Sequence, residues 1–330
     1  MKAALYRRFG PADDVLEIVE MPMPDPGPGE VLVELRASGV NPSDVKLRAG
    51  ARPGATMAYP YIVPHSDGAG VIVAAGEGVD QARIGQRVWL WNGQWRRQHG
   101  TAATHIALPA AQTAPLPEGT DFAAAACLGI PAVTAWTAVL GDGPVSGQRV
   151  LVTGGGGSVG RYAVQIAVQA GAEVITTISS PAKAAHANGH DHPAHHTIDY
   201  RQQDVAERVL EITGGQGVDR IVEVDFGANI ATTERIIAEG GTIATYASAG
   251  NMTPTLPFYP LMFRHTRLWM LIVYLLSPAE RARATEGLTA LLSAGSLSHA
   301  IAETHPLLQT AAAHAAVEAG TKLGTVVVET

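Results

Sequence analysis

A single cysteine, Cys127, stands in a chain of 330 residues. The chain therefore forms no internal disulfide, and any zinc site built on two or more of its own thiolates is excluded. Lysine is almost as scarce: Lys2, Lys46, Lys183 and Lys322 are all there are among 23 basic residues. Against 30 acidic residues this leaves a net charge of −7, with no basic stripe to meet a nucleic-acid backbone. Charge as a whole is thin, 16% against about 25% in an average domain, so much of the chain must be buried. Long apolar runs are missing too. The longest, residues 268–276 (LWMLIVYLL), is far short of the roughly 20 residues of a membrane-spanning helix and reads as a buried strand. The first residues turn basic again at Arg7 and Arg8, before a signal-peptide core could form. The expectation is a cytoplasmic protein without membrane or nucleic-acid partners.

What is present falls into two patterns. A length of 330 suggests two domains at about 150 residues each. Up to about Asp121 the chain reads as short strands between turns: residues 31–35 (VLVEL), 70–76 (GVIVAAG) and 86–91 (QRVWLW). Such a portion suits a partly open β barrel. Beyond it, apolar runs at 150–152, 174–178, 220–224 and 242–246 alternate with helical stretches such as 161–170, the signature of a parallel sheet covered by helices. A further helix is expected over 280–293. The chain closes on a strand, 324–329, for which the β-rich portion is the natural host.

Residues 150–167 (VLVTGGGGSVGRYAVQIA) carry the most chemistry. A buried strand enters a glycine turn and a helix leaves it, with Gly154, Gly157 and Gly160 spaced G-x-x-G-x-x-G. Glycines let the backbone turn sharply and approach a pyrophosphate, whose charge meets the helix N-terminus. The bland alternative is a glycine turn with no ligand. An NAD site usually ends its second strand in a carboxylate for the ribose hydroxyl. Here residues 174–178 run into Ser179-Ser180-Pro181-Ala182-Lys183. Hydroxyls and an ammonium would hold a 2′-phosphate that a carboxylate would repel, which favours NADPH. The alternative is that Lys183 is an ordinary solvated helix lysine.

The ordered motifs GVNPSD (39–44), PHSDGAGVI (64–72), GIPAVTAW (129–136), the glycine loop, GVD (217–219) and GGT (240–242) span the chain. On them it resembles the zinc-independent quinone oxidoreductases of the medium-chain dehydrogenase/reductase superfamily, the zeta-crystallin-like group. The resemblance implies an α/β fold: a Rossmann doubly wound parallel sheet plus a GroES-like β-rich catalytic domain. The domains would be 1–121, the first catalytic segment; 122–265, the NADPH-binding domain; and 266–330, a return to the catalytic domain whose start overlaps the Rossmann sheet edge. It also implies a homodimer through Rossmann edge strands. Zinc-dependent members carry Cys and His where this chain has Asn41 and Ser66. His65 stands one place early, and one imidazole does not hold catalytic zinc, so no metal is expected.

Carried over onto this sequence, the resemblance sets Asn41 beside the nicotinamide and Thr134 on a helix facing the cofactor. Gly156, Gly157, Ser158 and Val159 would cradle the pyrophosphate, with Gly154 and Gly160 shaping the turn. Ser179, Lys183 and Tyr200 would surround the 2′-phosphate, and Asn229, Tyr246 and Ser248 would line the strand ends where the cofactor lies. Asp225 departs from the family by placing an acid after the fourth strand, and the tail Lys322-Leu323-Gly324-Thr325 departs from its usual Gly-Lys.

The activity so implied is NADPH-dependent reduction of a quinone: hydride passes to a planar, electron-poor acceptor in the cleft between the domains. Positioning and exclusion of water matter more than acid–base chemistry for such a step. Candidates for placing the acceptor are Asn41, Asp44, Tyr59, Tyr61, Trp91 and Trp95. Each aromatic also suits plain packing, and Asp44 could simply organise its own loop. An enone, 2-alkenal or enoyl-thioester reductase is the alternative enzyme; a cofactor-dependent, crystallin-like binding or structural protein is the alternative outside enzymology. The histidines at 186, 190, 192, 195 and 196 are expected on a solvated surface, and Cys127 as a small buried hydrophobe.

Overall fold

The computed structural model describes residues 1–51 and 54–330. They divide into two compact units, one of Met1–Ile130, Thr289–Gly295 and His299–Thr330, the other of Pro131–Leu288 and Ser296–Ser298. In chain order the strands are β1 (Lys2–Leu5), β2 (Glu17–Glu20), β3 (Glu30–Val40), β4 (Asp67–Ala75), β5 (Arg87–Leu90), β6 (His105–Pro109) and β7 (Thr113–Pro115). Then follow β8 (Arg149–Val152), β9 (Glu173–Ile178), β10 (His196–Asp199), β11 (Val218–Glu223), β12 (Ile237–Thr245), β13 (Arg267–Met270), β14 (Ile301–Pro306) and β15 (Thr325–Glu329).

The first unit is organised by β3. Along one edge it pairs with β4; along the other, Glu30–Glu34 pair with β6 and Ala37–Val40 with β15, all antiparallel. Two register shifts against β4, between Leu32 and Val33 and between Leu35 and Ala37, add local twist and let the sheet curl. Val31, Val33 and Leu35, two residues apart, face inward onto Ile72, Val88, Leu90, Ile106 and Leu108. Each such side chain, once buried, contributes about 1.5–3 kcal/mol, so the alternation specifies the register.

The second unit holds six parallel strands in the order β10-β9-β8-β11-β12-β13. Sequence order reverses between β8 and β11, and in such sheets ligands bind at the carboxyl ends beside that reversal. Helices Ser158–Gln169, Pro181–Asn188, Val205–Ile212 and Phe226–Ile236 make the crossovers. Strands covered on both faces read as unbroken apolar runs, which is why Val150-Leu151-Val152 and Ile221-Val222 are wholly buried.

Residues 268–276 are not the buried strand expected from their hydropathy. Only Arg267–Met270 is strand, paired with β12 alone, and Val273–Leu275 forms a 3-10 turn. As the sheet edge, β13 has one neighbour. Leu271 and Val273 turn inward, while Met270, Ile272 and Leu275 are exposed. The chain stays with the second unit through Leu288, where Gly287 packs against the Trp136 indole. Among the described residues no helix is long and apolar enough to cross a membrane.

Candidate active site

In the second unit the glycine loop leaves β8 with Gly154 in the left-handed region, φ +68°. Its N–H donates to Thr177 Oγ1 at 3.0 Å, and that of Gly155 to the Thr177 carbonyl at 3.0 Å. Two glycines are sterically required. A Cβ on Gly155 would lie 2.0 Å from Thr176 Oγ1, and one on Gly160 2.3 Å from the Gly154 carbonyl oxygen. Gly157 is the N-cap of the twelve-residue helix Ser158–Gln169, the end at which a helix dipole carries its partial positive charge. Ser158 and Val159 are half-buried there and Gly157 is exposed. A glycine turn leading into a helix N-terminus beside the strand reversal fits a dinucleotide pyrophosphate.

At the end of β9, Ser179 is buried and Ser180 caps the helix Pro181–Asn188, its hydroxyl accepting from Lys183 N–H at 3.3 Å. Gly156 faces the Lys183 stem, since a Cβ on it would sit 3.0 Å from Lys183 Cβ. Tyr200 follows β10, half exposed, and its N–H donates to the Ile178 carbonyl at 3.1 Å. Ser179, Lys183 and Tyr200 are thus gathered at neighbouring strand ends. The histidines nearby are less solvated than expected. His195 Nδ1 accepts from Val174 N–H at 3.0 Å, His196 meets Glu173 at 3.2 Å, and burial pushes His190 down to about 4.

Past β11 and β12 the polar groups are largely engaged with one another. Asn229 Nδ2 donates to Glu223 Oε1 at 2.8 Å. Ser248 Oγ accepts from Gly227 N–H at 2.9 Å and donates to the Asn251 carbonyl at 2.5 Å. Asp225, the departure from the family pattern, accepts from Gly250 N–H at 2.9 Å and so pins the two loops together. Half-buried Tyr246 has its phenol pKa raised by burial and then by the Glu223 charge. Glu223 itself was not singled out from sequence. Its signal was an acid directly after the apolar pair Ile221-Val222, at the end of β11. Thr134 is buried in the first turn of the helix Val133–Leu140.

In the first unit Asn41 and Asp44 open the helix Pro42–Arg48. Asn41 N–H donates to Asp44 Oδ2 and Asn41 Nδ2 to Asp67 Oδ2, both at 2.8 Å. Asp67 Oδ2 also accepts from Ile130 N–H at 2.8 Å, within the π-helical turn Leu128–Ala132. Burial pushes Asp44 up to about 7 against the opposing bonds from Asn41. Of the aromatics, Tyr59 donates to the Arg96 carbonyl at 2.8 Å, and the Arg96 guanidinium lies 5.2 Å from the Trp95 ring, so these share one loop. Arg96 takes φ +57°, a strained position for a side chain of its size. Tyr61 stacks on His99, with ring centroids 5.7 Å apart. Trp91 is buried against Trp89, centroids 5.0 Å apart, and is core rather than rim.

His65, at φ +75°, belongs to a buried chain whose protons can be assigned. Thr101 Oγ1 donates to the Asp67 carbonyl at 2.6 Å, since a carbonyl only accepts. The 2.7 Å Ser38–Thr101 contact therefore carries the Ser38 proton, and the 2.8 Å contact to Ser38 carries that of His65 Nδ1. His65 Nε2 is left to accept from His314 Nε2–H at 2.9 Å. Both rings are neutral, with burial pushing His65 down to about 3 and holding His314 well below its ordinary value. Cys127 is buried, and its thiol is pushed up to about 12, far from a nucleophile. Among the described residues no group of three or more His, Cys, Asp or Glu side chains is arranged to hold a metal ion.

The chain is similar to known proteins. The family described as alcohol dehydrogenase GroES-like domain matches residues 27–118, and that described as zinc-binding dehydrogenase matches 158–290. Quinone oxidoreductase of Rattus norvegicus is 31% identical over 257 residues, 76% of this chain and 74% of that one. The human synaptic vesicle membrane protein VAT-1 homolog is 30% identical over 257 residues, and this chain spans 62% of its length. A crystal structure of an NAD-dependent alcohol dehydrogenase superposes with a TM-score of 0.89 at 29% identity, and a mycobacterial protein complexed with NADPH with 0.86 at 28%, each covering 100% of both chains. A GroES-like β unit and a doubly wound sheet with a glycine cradle define an oxidoreductase that uses a nicotinamide cofactor. The chain belongs to the medium-chain dehydrogenase/reductase superfamily.

Proposed function

We propose that this protein is a zinc-independent, NADPH-dependent quinone oxidoreductase, acting in the cytoplasm as a homodimer. The observation that carries the cofactor choice is the Lys183 stem lying along Gly156, with serines and no carboxylate ending β9. A lysine so held presents its charge to a phosphate beside the glycine loop. The bound cofactor would supply the hydride. The helix N-terminus after Gly157 would take the pyrophosphate, and Ser179 and Tyr200 would flank the 2′-phosphate. Thr134 and Tyr246, with Asn229 and Ser248 holding the loops, would complete the cofactor's surroundings. Asn41, kept in one orientation by Asp67, would stand at the nicotinamide. Tyr59, Tyr61 and Trp95 would border a planar acceptor, whose reduced oxygen solvent can protonate. The name shared by the rat relative and several structural neighbours supports a quinone as acceptor.

Asp44 favours a second reading: a carboxyl raised to about 7 is the kind of proton donor an enone reductase needs. Side-by-side turnover of a naphthoquinone and an enone with NADPH separates the two, and enone turnover faster by about a hundredfold would sink the quinone reading. Lys183→Ala should raise the NADPH KM about tenfold or more and leave that for NADH within about twofold. Equal effects on both would remove Lys183 from the phosphate site.

A further inference from the structure

We infer that Glu223 is a positioning residue for cofactor binding, one carboxylate oxygen tying the start of the glycine loop to the loop that follows β11. This rests on the nicotinamide-cofactor reading above. Glu223 is the last residue of β11 and is completely buried. Its Oε1 accepts from three groups: Thr153 Oγ1 at 3.0 Å, Asp225 N–H at 2.6 Å and Asn229 Nδ2 at 2.8 Å. Thr153 leads directly into Gly154, and its hydroxyl in turn accepts from Val224 N–H at 2.9 Å. The two loops so joined leave adjacent parallel strands, β8 and β11, on either side of the strand-order reversal. A dinucleotide crosses the sheet at that reversal, so the separation of these loops sets the width of its seat.

The carboxylate is used one-sidedly. Among the described residues Oε2 is buried and has no hydrogen-bond partner. A group valued only for filling the core would be apolar there and would carry no desolvation cost. What an acid supplies, and a hydrocarbon does not, is an acceptor that directs three donors, from the glycine loop, the loop after β11 and the helix Phe226–Ile236, onto one point. Asn229 and Thr153 then act on the cofactor through Glu223, by holding backbone in place. Burial raises the Glu223 pKa, and the three donors to Oε1 oppose that shift.

Three variants test this: Glu223→Leu removes the acceptor, Glu223→Gln keeps Oε1, and Thr153→Val removes the hydroxyl should the leucine variant fail to fold. Hydrogen exchange of the cofactor-free protein is followed in residues 153–160 and 224–230, and NADPH affinity by fluorescence titration. Glu223→Leu and Thr153→Val should speed exchange in both segments and nowhere else. Both should raise the NADPH Kd and KM about tenfold while kcat at saturating NADPH stays within about twofold. Glu223→Gln should restore both readouts to within about threefold of wild type. Unchanged exchange with an unchanged KM, or a fall in kcat at constant KM, overturns the inference. If the wild type binds neither NADPH nor NADH, the cofactor reading falls, and the exchange arm alone decides whether Glu223 ties the loops.

Discussion

Asp44 and the His65–His314 pair titrate in opposite senses within one unit. Burial raises Asp44 from 3.8 to about 7, so the fold favours its neutral form; that contribution is complete below about pH 3.8 and is lost as pH rises through 7. Burial lowers His65 from 6.5 to about 3, so its contribution is complete above about pH 6.5 and is lost as pH falls toward 3. Asp44→Asn should therefore gain stability on wild type as pH goes from about 5 to about 8, read from urea midpoints. His314→Gln should behave inversely, its deficit at about pH 7.5 shrinking by about pH 5 as wild type begins to carry the cost of a buried charge. The groups facing this pair are Ser38, Thr101 and Arg48, and Arg48, whose own partner is Glu318, adds to the lowering of His314. Deficits independent of pH in both variants would mean that neither group titrates as its burial dictates.

At the scale of the element, the glycine turn separates two kinds of steric requirement. The obstacle to a Cβ at Gly155 is a side chain, Thr176 Oγ1, whereas at Gly160 it is the Gly154 carbonyl. Gly155→Ala should cost about 1–3 kcal/mol and weaken NADPH binding, and adding Thr176→Ala should recover much of that loss. Gly160→Ala should lose NADPH binding with no side-chain substitution able to restore it, because backbone cannot be trimmed. Equal responses to Thr176→Ala in both backgrounds, measured by thermal unfolding and NADPH titration, would contradict this distinction. The spacing of Gly154, Gly157 and Gly160 was legible in sequence because a strand–turn–helix step is local. The role of Gly155 was not, since its neighbour lies on β9. Asn229 and Ser248 entered through the family resemblance, and Asn229 Nδ2 and the Ser248 hydroxyl are spent on Glu223, Gly227 and Asn251.

For the molecule as a whole, the outer edge of β13 and the short helix Phe258–Phe263 leave Phe258, Tyr259, Met262, Phe263 and Met270 exposed, the last two at 78% and 71%. Exposed apolar side chains and a strand edge with no neighbour among the described residues are a standing invitation to association. If the homodimer forms there, light scattering should give twice the 34.4 kDa chain mass, and Phe263→Asp with Met270→Asp should give the monomer. A wild-type monomer at micromolar concentration would exclude the homodimer.

Composition and period by themselves determined the exclusion of disulfides and thiolate zinc, the parallel sheet with its covering helices and the glycine turn. Each follows from counts or from the steric demands of near neighbours along the chain. The buried-strand reading of residues 268–276 failed because hydropathy does not say how many neighbours a strand has. Tertiary structure alone decided that His65 meets His314 across 249 residues, that Arg48 pairs with Glu318, and that Glu223 gathers donors from two loops. Those are hydrogen bonds of buried groups. Whether such a group has a partner depends on which distant segments packing brings to it, and that is set only once the whole fold has closed around it.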